Sequence, residues 1–153
     1  NFDAARLMDL CYNAEIKPMV NQIERHPYYQ RMEELSLMKK LGVQPQGWAP
    51  FAEGRKGMFT EPVLQEIAAK HGRTVAQVIL RWNIQQGVII IPKSVHKKRM
   101  EENLAIWDFA LDEKDLAKIT ALDKNCPSML DCSKPSEIDR LYNYLNDPVL
   151  TTL

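Results

Sequence analysis

The chain of 153 residues is 45% hydrophobic and 26% charged, an ordinary balance for one soluble domain. Lysine plus arginine equals aspartate plus glutamate at 20 each, so nothing in the net charge favours a nucleic acid or an anionic membrane as partner. No apolar run approaches the roughly 20 residues that span a bilayer, and the chain opens with neither a signal-type apolar region nor a methionine, so a cytoplasmic protein truncated at its front is expected. Cys11, Cys126 and Cys132 are odd in number and lack a C-x-x-C spacing, and they read as free thiols rather than a disulfide or zinc framework.

Asp3 is placed to cap a helix whose apolar stripe is Ala4, Leu7, Met8 and Cys11. Met19 to Glu24 reads as a strand closed by His26-Pro27. From about Tyr29 to Leu41 the apolar residues Met32, Leu35, Met38 and Leu41 predict a second helix, stopped by Gly42, with Met32 and Met38 as core packing. Val43 to Trp48 reads as a short strand despite Pro45, and Pro50 to Gly57 as a charged loop. Two helices follow, Glu61 to His71 with Gly72 after it, and Val75 to Gln86, where Thr74 and Gln77 have capping-box spacing.

Val88 to Ile91 is an unbroken β-branched run bracketed by Gly87 and Pro92, which suits a parallel strand covered on both faces. Lys93, Ser94, His96, Lys97, Lys98 and Arg99 come directly after it and lead into a helix. A strand end that feeds a helix N-terminus is where anions bind, because free N–H groups and the helix dipole converge there. At helical spacing Arg99, Glu102 and Asn103 share one face. A solvated basic turn without a ligand is the alternative. Beyond it, Asp112 caps a helix to about Leu122, stapled by Leu111 and Leu116. Ser136 to Leu145 reads as an amphipathic helix with Ile138, Leu141, Tyr142 and Leu145 on one side. Alternating strands and crossover helices imply an α/β fold with a parallel sheet. Three strands are too few to close a barrel, which takes about 250 residues.

The segment IPKSVHKKRMEEN resembles the cofactor signature of the aldo-keto reductases, in which a Pro-Lys-Ser turn precedes an Arg and, three and four residues on, an acid or amide and an Asn. The resemblance implies that Lys93, Ser94 and Arg99 hold the 2′-phosphate of NADP(H), that Glu102 and Asn103 touch the adenine, and that Val95 and His96 complete the segment. A dianionic phosphate does favour an Arg fork, a Lys point charge and a hydroxyl donor. Asn1-Phe2 is similar to the end of the family's Ser-Asn-Phe turn and VNQIERHPY to its next strand, which implies that Asn1 and Gln22 bind the nicotinamide carboxamide. GWAPFAEG is similar to a further cofactor segment, with Trp48 stacked on the nicotinamide and Ala49, Phe51 and Glu53 along the pyrophosphate.

The resemblance runs from Asn1 to about residue 124 and implies the last three strands of a (β/α)8 TIM barrel with their helices, followed by a tail over 125–153 that departs from the family. Trp48 as a core aromatic and Gln22 as a satisfied buried amide are the duller readings. His26 reads as a turn residue whose ring bonds the backbone, and His71 as a last-turn cation. Neither has a second His or Cys at ligand spacing, so no metal site is assigned. The family's proton donor, a Tyr activated by a Lys paired with an Asp, with a His beside it, lies upstream of the position of Asn1. No catalytic residue is therefore expected here, and Tyr28, Tyr29 and Tyr142 do not match that pattern. The expectation is the NADP(H)-binding half of an enzyme that reduces small-molecule aldehydes and ketones, partnered by an N-terminal half-barrel or by itself. A non-catalytic nucleotide-binding or scaffold half-barrel is the alternative.

Overall fold

A computed structural model describes residues 1–131 and 133–144. Helix α1 (Ala4–Asn13) starts where the Asp3 carboxylate accepts from Arg6 N at 2.8 Å, and it buries Leu7 and Cys11 while Met8 stays exposed. Strand β1 (Val20–Glu24) follows. The next helix, α2 (Met32–Leu41), begins three residues later than the apolar pattern predicts. The reason is a tight turn. His26 and Tyr29 exchange backbone hydrogen bonds of 3.2 and 2.9 Å, and Arg31 takes a left-handed φ of 55° before helical geometry begins. Met38 is fully buried as expected, whereas Met32 is 45% exposed and does not join the core.

Strand β2 (Gln44–Trp48) lies between β1 and β3 (Ile89–Ile90), all parallel, with Gln22 opposite Gln46, Glu24 opposite Trp48, and Gln46 opposite Ile89. Pro45 is tolerated inside this central strand for a local reason. Gln44 N donates to Met19 O on the β1 side, so the amide position of Pro45 turns toward β3, whose pairing starts only one residue later. Helix α3 (Pro62–His71) is capped by Glu61, and α4 (Val75–Gln85) carries the capping box of Thr74 and Gln77. Helix α5 (Lys97–Leu104) buries no residue, α6 (Glu113–Thr120) has a capping box of Asp112 and Asp115, and α7 is Pro135–Tyr144.

One face of the sheet is covered. Ile23, Val43 and Val88 pack with Leu7, Cys11, Leu35 and Met38 of α1 and α2. A second cluster joins α3, α4 and α6 through Leu64, Ile67, Val78, Ile79, Trp82, Leu111 and Ile119, with Leu116 against it. The opposite sheet face is open, and here the expectation of a strand buried on both faces fails. Val88 is buried, but Ile89 and Ile91, on the side of Gln22 and Gln46, are 40% and 53% exposed. Among the described residues β3 pairs with β2 alone, and this face is open around Ile89 and Ile91 but covered at its β1 end, where Glu24 is buried against Ser128. The tail helix also buries less than its pattern predicts, because Leu141 and Tyr142 are exposed. Leu145 and Cys132 lie outside the described residues. Cys11 is a buried free thiol and Cys126 an exposed one. No described helix is long and apolar enough to cross a membrane.

Candidate functional site

Asn1 and Trp48 meet at the carboxyl end of β2, while Gln22 lies in the middle of β1, opposite Gln46. Strand alternation and register put Gln22, Glu24, Gln46 and Trp48 on the open face of the sheet. Asn1 reaches them from outside the sheet. Buried Asn21 grips the neighbouring residue through its backbone, accepting from Phe2 N at 3.2 Å and donating to Phe2 O at 3.0 Å. The indole N–H of Trp48 then donates to Asn1 Oδ1 at 2.6 Å. Gln22 donates through Nε2 to Gln46 Oε1 at 2.7 Å. Trp48 is only partly buried, so one side of its ring remains available, which a core aromatic would not offer.

After Trp48 the backbone enters an unusual run. Ala49, Ala52, Glu53 and Lys56 all have positive φ between 47° and 58°, with Gly54 and Gly57 among them. Non-glycine residues in this region carry strain, and loops that hold it cluster at ligand sites. The run turns successive N–H groups about a short segment anchored by buried Ala52 and Met58. Phe51 packs on Phe59 with ring centroids 5.6 Å apart, and the exposed Glu53 lies 3.5 Å from Arg55.

The exit of β3 is different again. Lys93 and Arg99 are exposed and make no ion pair or hydrogen bond among the described residues, whereas Lys97 and Lys98 lie 3.9 Å from Glu101 and Glu102. His96 sits at the N-cap of α5 without a side-chain cap bond, so the first-turn N–H groups remain open. Ser94 Oγ accepts from His96 N at 3.1 Å and shapes the turn, and Val95 is exposed beside it. Asn103 lines an apolar cleft of about 480 Å³ together with Ile84, Ile89, Met100, Leu104 and Trp107. The chemistry of this exit fits a phosphate: two uncommitted cations, a hydroxyl and an uncapped helix start.

Arg25, which carried no signal in the sequence, and several residues that did, turn out to hold buried contacts. Arg25 is fully buried; its Nε donates to Gln30 O at 3.0 Å, its Nη1 donates to Asn83 Oδ1, and its guanidinium lies 3.8 Å over the Trp82 ring. Burial lowers its pKa to about 9, partly opposed by Asp123. His26 was expected to bond the backbone; instead its Nε2 lies 3.1 Å from Glu24 Oε1 and 2.8 Å from Ser128 Oγ, so the tail is tied down by side chains. Ser128 N also donates to Glu24 Oε1 at 2.8 Å. His71 adds a bond to its last-turn position: its Nε2 lies 2.7 Å from Asp115 Oδ2. Tyr28 donates to Glu61 Oε2 at 2.7 Å, and burial together with that carboxylate raises its pKa to about 12; burial raises Tyr29 as well. Both phenols are thus shifted away from proton donation at neutral pH. The described residues contain no cluster of three or more His, Cys, Asp or Glu able to hold a metal.

An α/β chain with parallel strands, carrying its polar residues at their carboxyl ends, falls into the class of proteins that bind ligands at strand exits. More narrowly, the family profile described as "Aldo/keto reductase family" matches residues 1–124, and the chain belongs to that family. The glyoxal reductase of Bacillus subtilis is 46% identical over 125 residues, which are 82% of this chain and 45% of that protein. MGS-M4, an aldo-keto reductase from a Medee basin deep-sea metagenome library, superimposes with a TM-score of 0.80 at 34% identity over 82% of this chain and 47% of its own. An aldo-keto reductase of Bombyx mori in complex with NADP gives 0.79 at 31% identity, over 86% and 45%. The chain thus spans about half the length of the relatives it matches. NADP(H) is the cofactor of the family.

Proposed function

We propose that this chain is the NADP(H)-binding half of a reductase that converts aldehydes or ketones to alcohols. The observation that carries the reading is the pair Lys93 and Arg99, exposed cations of the β3 exit without a partner among the described residues, at a helix start that has no side-chain cap. Arg99 and Lys93 grip the 2′-phosphate with the Ser94 hydroxyl, and Val95 and His96 carry the turn. Glu102 and Asn103 border the adenine. Ala49, Phe51 and Glu53 line the pyrophosphate through their backbone, since the Glu53 carboxylate would repel it. Trp48 supplies a plane for the nicotinamide, and Asn1 and Gln22 hold its carboxamide. The bound cofactor supplies the hydride; these residues bind and orient it.

In this reading residues 1–124 are the last three strands of a (β/α)8 barrel with their helices, and 125–153 form a tail. An N-terminal half-barrel covers the open face bearing Ile89 and Ile91, pairs the free edges of β1 and β3, and brings the proton donor. Unpaired apolar edges invite such pairing, and self-association is the other way to satisfy them. The glyoxal reductase among the relatives supports a small carbonyl compound as substrate. Titration of the chain with NADPH and NADH, followed by NMR, tests the cofactor: tighter binding of NADPH is expected, and equal affinities would remove the phosphate site. Steady-state NADPH turnover by the pure 153-residue chain would show that the proton donor lies within it after all.

A further inference from the structure

Two apolar faces of this chain lie uncovered, one concave and one convex, and their charges are opposite. The concave face is the cleft of about 480 Å³ beside β3, lined by Ile84, Ile89, Met100, Leu104 and Trp107. Leu104 and Trp107 are 74% and 66% exposed. Helix α5, which forms its rim, buries none of its residues and carries Lys97, Lys98 and Arg99 against Glu101 and Glu102. The convex face is on α7. There Ile138, Leu141 and Tyr142 fall at i, i+3 and i+4, Leu141 and Tyr142 are exposed, and Glu137 and Asp139 flank the stripe against Arg140 alone. Arg140 bonds Glu137 at 2.7 Å, while exposed Asp139 has no ion pair among the described residues.

We propose that the cleft beside β3 receives the α7 stripe of a second copy of this chain, each copy seating its helix in the other's cleft. A helix that lies in an apolar groove is anchored at i, i+3 and i+4, the spacing of Ile138, Leu141 and Tyr142. The basic rim of the groove meets the acidic flanks of the helix, which steers and orients the pair. One three-residue stripe is small against the roughly 1,000 Å² that a specific interface clears, and a two-fold exchange doubles the contact. The chain's own α7 leaves the cleft open, because Ser128 ties the segment before it to Glu24 of β1, at the sheet edge opposite β3. The inference goes beyond the cofactor reading and stands without it, since Met100, Leu104 and Trp107 are not assigned to the cofactor.

Sedimentation equilibrium of the 153-residue chain across micromolar to millimolar concentration tests this, and a concentration-dependent dimer is expected. Leu104→Glu in the cleft and Tyr142→Glu on the stripe replace exposed side chains, so both variants fold, and each should weaken the dimer by about 10-fold or more. Mixed together they should associate more tightly than either alone, because the intact α7 of one variant meets the intact cleft of the other. Asp139→Lys should weaken the dimer by about 2- to 5-fold, and adding Lys97→Glu to the same chain should recover it. A dimer that ignores Leu104→Glu or Tyr142→Glu, a mixture no tighter than its parts, or a reversed charge that Lys97→Glu does not recover overturns the proposal. So does a monomer at every concentration: a Trp107 indole resonance that Tyr142→Glu shifts would then show the chain's own α7 in the cleft, and an unmoved one would leave the cleft to an N-terminal half.

Discussion

The exits of β1 and β3 are both rich in charge, yet they are opposites. At β1 the run Glu24-Arg25-His26 is buried and its partners are internal: Arg25 on Gln30, Asn83 and the Trp82 face, Glu24 and His26 on each other and on Ser128, with Glu24 Oε2, Arg25 Nη2 and His26 Nδ1 left without a hydrogen-bond partner among the described residues. At β3 the cations Lys93 and Arg99 are exposed and meet no partner among the described residues. The difference teaches how to sort charges at strand ends. A cation that has already been desolvated against internal partners holds the fold, whereas one that the fold leaves unpaired beside open helix N–H groups is available to a ligand.

Removing Arg25 is the hardest blow to this division. Arg25→Met leaves Asn83 Oδ1 and Gln30 O without their buried donor, and a cost of about 3 kcal/mol is expected in urea denaturation. NADPH affinity of the molecules that remain folded should hold. A stability unchanged within 0.5 kcal/mol would show that the buried exit is ornamental.

Arg99→Ala probes the other exit. Losing a charge-assisted contact worth about 1.5–3 kcal/mol should weaken NADPH by roughly 10- to 150-fold and leave NADH almost untouched. Stability should stay within about 0.5 kcal/mol, because the side chain is exposed and unpaired. Equal losses for the two cofactors, seen by fluorescence quenching, would place the phosphate elsewhere.

What the sequence disclosed follows from how local each signal is. The caps of Asp3, Thr74 and Asp112 act within three residues, and the structure has all of them. The β3 exit is equally local, being a strand end, a turn and a helix start in direct succession. Arg25 was illegible because its partners, Trp82 and Asn83, are far along the chain, and no periodicity marks an arginine as buried. Ser128 on His26 was missed for the same reason, across a separation of 102 residues. Gln46 could have been found: once two parallel strands are predicted, a register that opposes Gln22 to Gln46 is one of few possibilities. The open face around Ile89 and Ile91 was misjudged because an apolar run reports what a strand can tolerate on its faces, and the described elements cover only one of them.

Acid sharpens the comparison through Glu24. Burial pushes its carboxyl up, but the His26 ring and the Ser128 N–H outweigh that, and its pKa ends below the ordinary 4.5. Asp115 behaves likewise: burial raises it, and Lys70 and His71 lower it further. Both are more acidic folded than unfolded, so the stability they confer is present above about pH 4.5 and lost as pH falls through the folded values. The urea midpoint should therefore drop as pH falls below about 4.5. Glu24→Gln should cost about 1 kcal/mol at pH 6 and flatten part of that drop. An acid profile that Glu24→Gln leaves unaltered would mean that the contact carries no linkage.

The smallest effect separates strain from binding in the loop between the two exits. Lys56, at φ 58°, is exposed and outside the proposed cofactor contacts, whereas Glu53, at φ 54°, lies within them. Left-handed geometry costs a residue with a side chain about 1–2 kcal/mol, and glycine removes that cost while adding about 0.5–1 kcal/mol of lost backbone freedom. Lys56→Gly should therefore stabilise the fold by about 0.5 kcal/mol and leave NADPH affinity alone. Glu53→Gly relieves the same strain, and it should gain similar stability. It also removes a carboxylate from beside the pyrophosphate and frees the backbone that lines it, so its NADPH affinity should shift where that of Lys56→Gly does not. If the two variants bind NADPH identically, the loop is strained for a reason other than the cofactor.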